Sequence, residues 1–132
     1  MATIKSYTDI EQSRKLAEFL PIESADMWYS YYGNSKYNPT IAYKGQQWFL
    51  CQIRNSLHDD IPCWSLAALL GVIPKRIKHY NVLTIDISEN EFAIRYDEIA
   101  YCVNNDLPDI TKDNPVDACV VMIEKLHELN LL

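Results

Sequence analysis

The chain has 132 residues, a formal charge of −6 and a sequence pI near 4.9. That length is one domain, residues 1–132, with enough chain for a real core and too little for two. The acidic balance argues against a phosphate-binding surface spread over the fold, so nucleic acid is not the expected partner. No apolar run reaches the ~18–20 residues that a spanning helix needs. The first residues also lack the signal pattern of charge followed by an apolar stretch. The expectation is a cytoplasmic protein with no membrane partner, in which Cys51, Cys63, Cys102 and Cys119 are reduced thiols. They show no Cys-x-x-Cys spacing and read as small buried apolar side chains.

In chain order, Thr8-Asp9-Ile10-Glu11 has the form of a capping box, with Thr8 as the cap and Glu11 reaching back. It opens a helix over about 9–19, with Ile10, Leu16, Ala17 and Leu20 on its inner side, and Pro21 stops it. Met27 to Tyr32 is aromatic and reads as a strand, Met27, Tyr29 and Tyr31 facing one way and Trp28, Ser30 and Tyr32 the other. Gly45-Gln46 suits a type II′ hairpin that pairs Tyr43 with Trp48 and Ile41 with Leu50. The helical spacing of Leu50, Ile53 and Leu57 leaves a helix over 48–57 open as the rival.

Residues 63–71 are apolar nearly all round, which marks a buried helix that begins between Pro62 and Leu66. Gly71 is placed to cap it in the left-handed conformation, with Pro74 beyond. Lys75-Arg76-Ile77-Lys78-His79 then reads as a solvated loop. Residues 82–88 and 91–97 alternate strictly around Glu89-Asn90. A two-residue turn there sets Ile87 opposite Phe92, Ile85 opposite Ile94 and Leu83 opposite Tyr96, all on one face. Ile99, Tyr101 and Val103 alternate with shifted parity, so Asp97-Glu98 is expected to be a bulge or a corner. Residues 104–113 read as a loop.

The last element is a helix over 115–129. Asn114 is a good N-cap, Pro115 suits the first helical position, and Asp117 sits near the positive end of the dipole. Val116, Cys119, Val120, Met122, Ile123, Leu126 and Leu129 form its apolar arc, with His127 inside the arc. The fold class is α+β: an antiparallel sheet of about four to six strands with three helices packed on it, the last covering the hairpin.

Few residues point to chemistry. The three glycines, Gly33, Gly45 and Gly71, each have a turn or cap to explain them, so no Gly-rich phosphate cradle exists. His58, His79 and His127 are scattered, and His58-Asp59-Asp60 is the weak place for a metal; none is expected, nor any cofactor. Cys63 is the weak catalytic candidate, a thiol at a helix start where the dipole favours thiolate, with His127 or His79 as base. Carboxylate pairs such as Asp59 with Asp60, or Glu23 with Asp26, are not singled out by anything. Trp28, Tyr29, Tyr31, Tyr32, Tyr37 and Trp48 are candidates for a binding or dimer surface, because tyrosine and tryptophan supply rigid area with a polar tip.

Three blocks go together: LAEFLPIESADM from Leu16, PCWSLAALL from Pro62, and DNPVDAC from Asp113 with MIEKLHEL from Met122. They resemble a family of small uncharacterised proteins encoded in phages, prophages and mobile elements of gut anaerobic bacteria. The resemblance covers most of the chain as separated blocks. It implies a mobile-element context and transfers no activity, cofactor or site. The expected function is non-enzymatic, through an unknown protein partner or self-association. A thiol enzyme or small hydrolase using Cys63, and an acidic nucleic-acid mimic that inhibits a host defence, stand as the alternatives.

Overall fold

The computed structural model describes residues 5–31, 48–52, 60–78, 81–98 and 107–132. Within them lie three α-helices and two antiparallel sheets, an α+β fold. Helix α1 is Ile10–Ala17, α2 is Leu66–Val72 and α3 is Pro115–Glu128. The described strands number seven, in sheets of three and four, where the sequence pattern suggested one sheet of about four to six.

The caps of α3 account for its boundaries. The Asn114 side chain accepts the Asp117 N–H at 2.9 Å, and Pro115 occupies the first turn without losing a bond. At the far end Asn130 takes a φ of 56°. The Leu131 N–H reaches the Leu126 carbonyl at 2.9 Å and the Asn130 N–H that of His127 at 3.0 Å. These are the paired bonds of a Schellman closure, with asparagine in the place glycine usually takes. Val116, Ala118, Cys119, Val120, Met122, Ile123 and Leu126 are buried. Leu129, expected on the apolar arc, is 46% exposed, because the helix has ended at Glu128.

Helix α3 packs on the larger sheet, whose order is β4 (Arg76–Ile77), β5 (Asn81–Ile87), β6 (Phe92–Glu98) and β7 (Asp109–Lys112). The register of β5 on β6 is the expected one: Ile87 opposite Phe92, Ile85 opposite Ile94, Leu83 opposite Tyr96. Burial follows only on β6, where Phe92, Ile94 and Tyr96 are inside while Ile85 and Ile87 are 36% and 78% exposed. Helix α3 lies over β6 and β7, so the far end of β5 emerges from beneath it.

Three expectations for this sheet are corrected. Residues 104–113 are not all loop: Asp109–Lys112 pairs with β6, and Ile110 lies opposite Ile94. The basic run is not all solvated, since Arg76–Ile77 pairs with β5 and Ile77 is buried. Asp97 and Glu98 continue the pairing in step with Val82 and Asn81, so neither a bulge nor a corner forms there. Ile99, Tyr101 and Val103 lie outside the described residues.

In the smaller sheet β1 (Met27–Tyr31) runs between β2 (Trp48–Cys51) and β3 (Ile61–Cys63). Trp48–Cys51 is therefore strand; residues 53–59, and the turn at Gly45-Gln46 with its Tyr43 and Ile41 pairs, lie outside the described residues. Both faces of β1 are covered, because its neighbours Trp28 and Tyr29, which point opposite ways, are equally buried.

Helix α1 is capped one position later than the sequence pattern suggested. Asp9 accepts the Gln12 N–H at 2.8 Å, and the Gln12 side chain accepts the Asp9 N–H at 3.1 Å. Ser13, Leu16 and Leu20 form its buried side, while Ile10 is half-buried and Ala17 exposed. Helix α2 begins only at Leu66, its N-terminus capped by Ser65. Gly71 lies in the last helical turn and is not a left-handed cap. The helix ends as Ile73 turns extended ahead of Pro74. Lys75 Nζ closes this end by donating to the carbonyls of Leu70 and Ile73.

One apolar cluster joins these parts, including Leu16, Trp64, Leu69, Ile94, Met122 and Leu126. A polar tie adds to it where α1 and α3 begin. Lys5 Nζ donates to Asp117 Oδ1 at 2.8 Å, to Gln12 at 2.8 Å and to Asp9 at 3.2 Å. Partial burial pushes the Asp117 carboxyl up, but bonds from Lys5, Asn114 and Gln12 outweigh it and hold it at about 2. A carboxyl depressed on folding stabilises the fold above its unfolded value near ~3.9, and that contribution disappears as pH falls toward the folded value. The substitution Asp117→Asn is therefore expected to cost about 1 kcal/mol at pH 7, after allowance for solvent screening. The wild-type and variant curves should converge as pH falls from about 4 to 2, read by urea unfolding across that range.

Candidate functional site

Cys63 ends strand β3 and is fully buried, so it does not stand at a helix start. It belongs to a knot of hydroxyl and thiol groups around Thr8. The Thr8 and Ser13 hydroxyls are 2.7 Å apart. Thr8 Oγ1 accepts the Trp64 N–H at 3.1 Å, and the Thr8 carbonyl accepts the Tyr29 hydroxyl at 2.7 Å. Cys63 Sγ lies 3.4 Å from that carbonyl and 3.5 Å from Thr8 Oγ1. Burial pushes the thiol up, more than the bonds from Thr8, Ser13 and Tyr29 bring it down. A buried, protonated thiol is neither a good nucleophile nor reachable by substrate. This knot ties β3, β1 and α1 together through Thr8.

The aromatic candidates divide. Trp28 and Tyr29 are buried in the smaller sheet, and burial also pushes the Tyr29 hydroxyl up, so both are packing residues. Tyr31 and Trp48 are partners in the β1–β2 register. Tyr32 and Tyr37 lie outside the described residues, as do His58, Asp59, His79 and Cys102. The Asp60 carboxylate accepts the Ser30 hydroxyl at 2.8 Å. Asp26 accepts the Ser65 N–H and hydroxyl at 2.9 and 2.5 Å, which orients the cap of α2. Among the described residues no three of His, Cys, Asp and Glu gather as a metal ion requires.

Among the described residues, a groove of about 730 Å³ lies between the end of α1, the outer side of α2 and the end of α3. One wall is Phe19, Leu20, Pro21 and Ser24, and the other is Ala68, Gly71 and Val72; His127 and Leu132 also line it. The His127 ring stacks on Phe19, centroids 4.0 Å apart and planes within 8°. Ser24 is fixed in place, its hydroxyl donating to the Pro21 carbonyl at 2.6 Å and accepting Trp64 Nε1–H at 2.9 Å. At Gly71 the groove is open, and a Cβ there would meet nothing within 4 Å. Sequence reasoning missed it. Its trace in the sequence was Ala68, Gly71 and Val72 on one face of α2, together with a histidine at the end of an apolar arc.

Among the described residues, several acidic side chains are interleaved with basic ones. Arg95 lies between Asp86 and Asp97, at 2.5 and 2.9 Å. Lys15 is 3.8 Å from Glu124 and Lys125 is 3.7 Å from Glu128. Interleaving of this kind does not reproduce the charge row of a nucleic-acid backbone. No described helix is long and apolar enough to cross a membrane. No family model, no curated protein and no solved structure matches the chain.

In the folded chain at neutral pH, Cys63 and Cys119 are expected to resist iodoacetamide and to be alkylated only after denaturation, as mapped by mass spectrometry. Burial pushes the Cys119 thiol up to about 11, and both side chains are inaccessible. Rapid labelling of native Cys63 would restore the thiol as a candidate nucleophile.

Proposed function

We propose that this chain is a small, non-enzymatic, cytoplasmic protein of phage or mobile-element origin, folding as one unit. It acts by binding a protein partner or by self-association, and its contact surface is the groove beside Gly71. The observation that carries the binding reading is the groove itself. Apolar side chains from the turn after α1, from α2 and from Leu132 line it. Neighbours of those residues, Leu16, Leu69 and Leu126, are fully buried in the core, so the walls are anchored before any partner arrives. A concave, largely apolar surface with a few polar groups is the usual form of a recognition site. The origin rests on the three sequence blocks and their resemblance to mobile-element proteins.

The test is to fill the groove without disturbing the core. Gly71→Leu adds a side chain into open space, on a helix where leucine is favoured over glycine. Wild type and variant would be compared by light scattering and as immobilised bait against host lysate, after thermal unfolding has confirmed that both fold. The expected result is a self-associated species, or a specific captured protein, present with wild type and lost with Gly71→Leu. A strictly monomeric wild type whose captured proteins match those of the variant would overturn the proposal.

A further inference from the structure

The groove has a charge character that says more about its occupant. Glu18 immediately precedes the wall residue Phe19, and Glu23 lies between Pro21 and the wall residue Ser24. Both glutamates are exposed, and among the described residues neither enters an ion pair. The nearby carboxylates Glu124 and Glu128 do have lysine partners. Two exposed carboxylates outside any described ion pair thus adjoin, in sequence, the apolar wall on the α1 side, on a chain whose formal charge is −6.

We propose that the groove receives a short amphipathic segment of a partner protein, with bulky apolar side chains seated over Gly71 and lysine or arginine flanks set against Glu18 and Glu23. This rests on the groove being the contact surface and adds the chemistry of what fills it. The apolar walls supply non-directional burial for the anchors. The two glutamates favour cationic flanks over anionic ones and speed encounter with a basic segment. A second copy of this acidic chain would bring like charge to the same rim, which makes a basic heterologous segment the better fit.

The experiment uses the full chain and two fluorescein-labelled amphipathic peptides with the same leucine pattern, one flanked by lysines and one by glutamates. Fluorescence anisotropy at low salt is expected to show the lysine version binding about tenfold more tightly, the scale of two exposed charge contacts. Added salt should close that gap, because exposed charges are screened. Gly71→Leu should remove binding of both peptides. Glu18→Lys with Glu23→Lys, two surface changes that leave the core alone, should reverse the preference. Equal binding of the two peptides, lost in Gly71→Leu, would overturn the basic-segment inference and leave the groove as a binding site. Lysine-peptide binding that survives Gly71→Leu would overturn both. A wild-type dimer that Gly71→Leu dissociates would assign the groove to a second copy and overturn the inference.

Discussion

The Thr8 hydroxyl is the contact on which the assembly of this fold depends. It is fully buried, and a hydroxyl without a partner there would be costly, so every bond it makes constrains its neighbours. The hydroxyl takes the Trp64 N–H, just past the end of β3, and meets Ser13 of α1, while the Thr8 backbone donates its N–H to the Trp64 carbonyl and accepts the Tyr29 hydroxyl of β1. The pairing continues on either side, with Tyr7 bridging Ser65 and the Leu66 N–H reaching the Ser6 carbonyl at 3.0 Å. The start of α1 and the start of α2 are thereby fixed to one another. Helix α1 then leads, through the turn after Ala17, to Phe19 and Leu20, and α2 runs to Gly71 and Val72. The groove is the space left between those two ends where α3 closes the third side.

Helix α3 supplies the apolar weight in this arrangement. Seven of its residues are fully or almost fully buried against β6, β7, α2 and α1: Val116, Ala118, Cys119, Val120, Met122, Ile123 and Leu126. At roughly 1.5–3 kcal/mol for each large apolar side chain removed from water, this one helix contributes a major share of the driving force for folding. The Lys5–Asp117 tie adds orientation at its N-terminus more than energy, since both side chains are about a third exposed. At its C-terminus the Schellman closure turns the chain back, so that Leu131 packs against the core and Leu132 reaches the groove.

Much of this was legible in the sequence wherever a local rule carries the information. The start of α3 followed from Asn114 and Pro115, and the β5–β6 register followed from strict alternation about a two-residue turn. Elements set by distant partners were not legible. β7 has a single buried-facing apolar residue, Ile110, and β4 has only two residues, too few for any period to register. Cys63 sits before a helix in sequence, yet pairing with Met27 draws it into a strand. Thr8 looked like a helix cap because Glu11 follows it at the right spacing. Asp9 with Gln12 satisfies the same geometry, which frees Thr8 to turn inward. The groove was invisible for the same reason: its lining comes from three segments far apart in the chain, and only the fold brings them together.

The central claim is that a buried hydroxyl at position 8 ties Trp64, just past the end of β3, to Ser13 of α1. Urea unfolding of Thr8→Val tests it most directly, because valine keeps the shape and removes the hydroxyl, leaving the Trp64 N–H and the Ser13 hydroxyl short of a partner. A loss of about 1–3 kcal/mol is predicted, with Thr8→Ser restoring most of it. A Thr8→Val chain within about 0.5 kcal/mol of wild type would contradict the account, since a surface-like change is all that such a value describes.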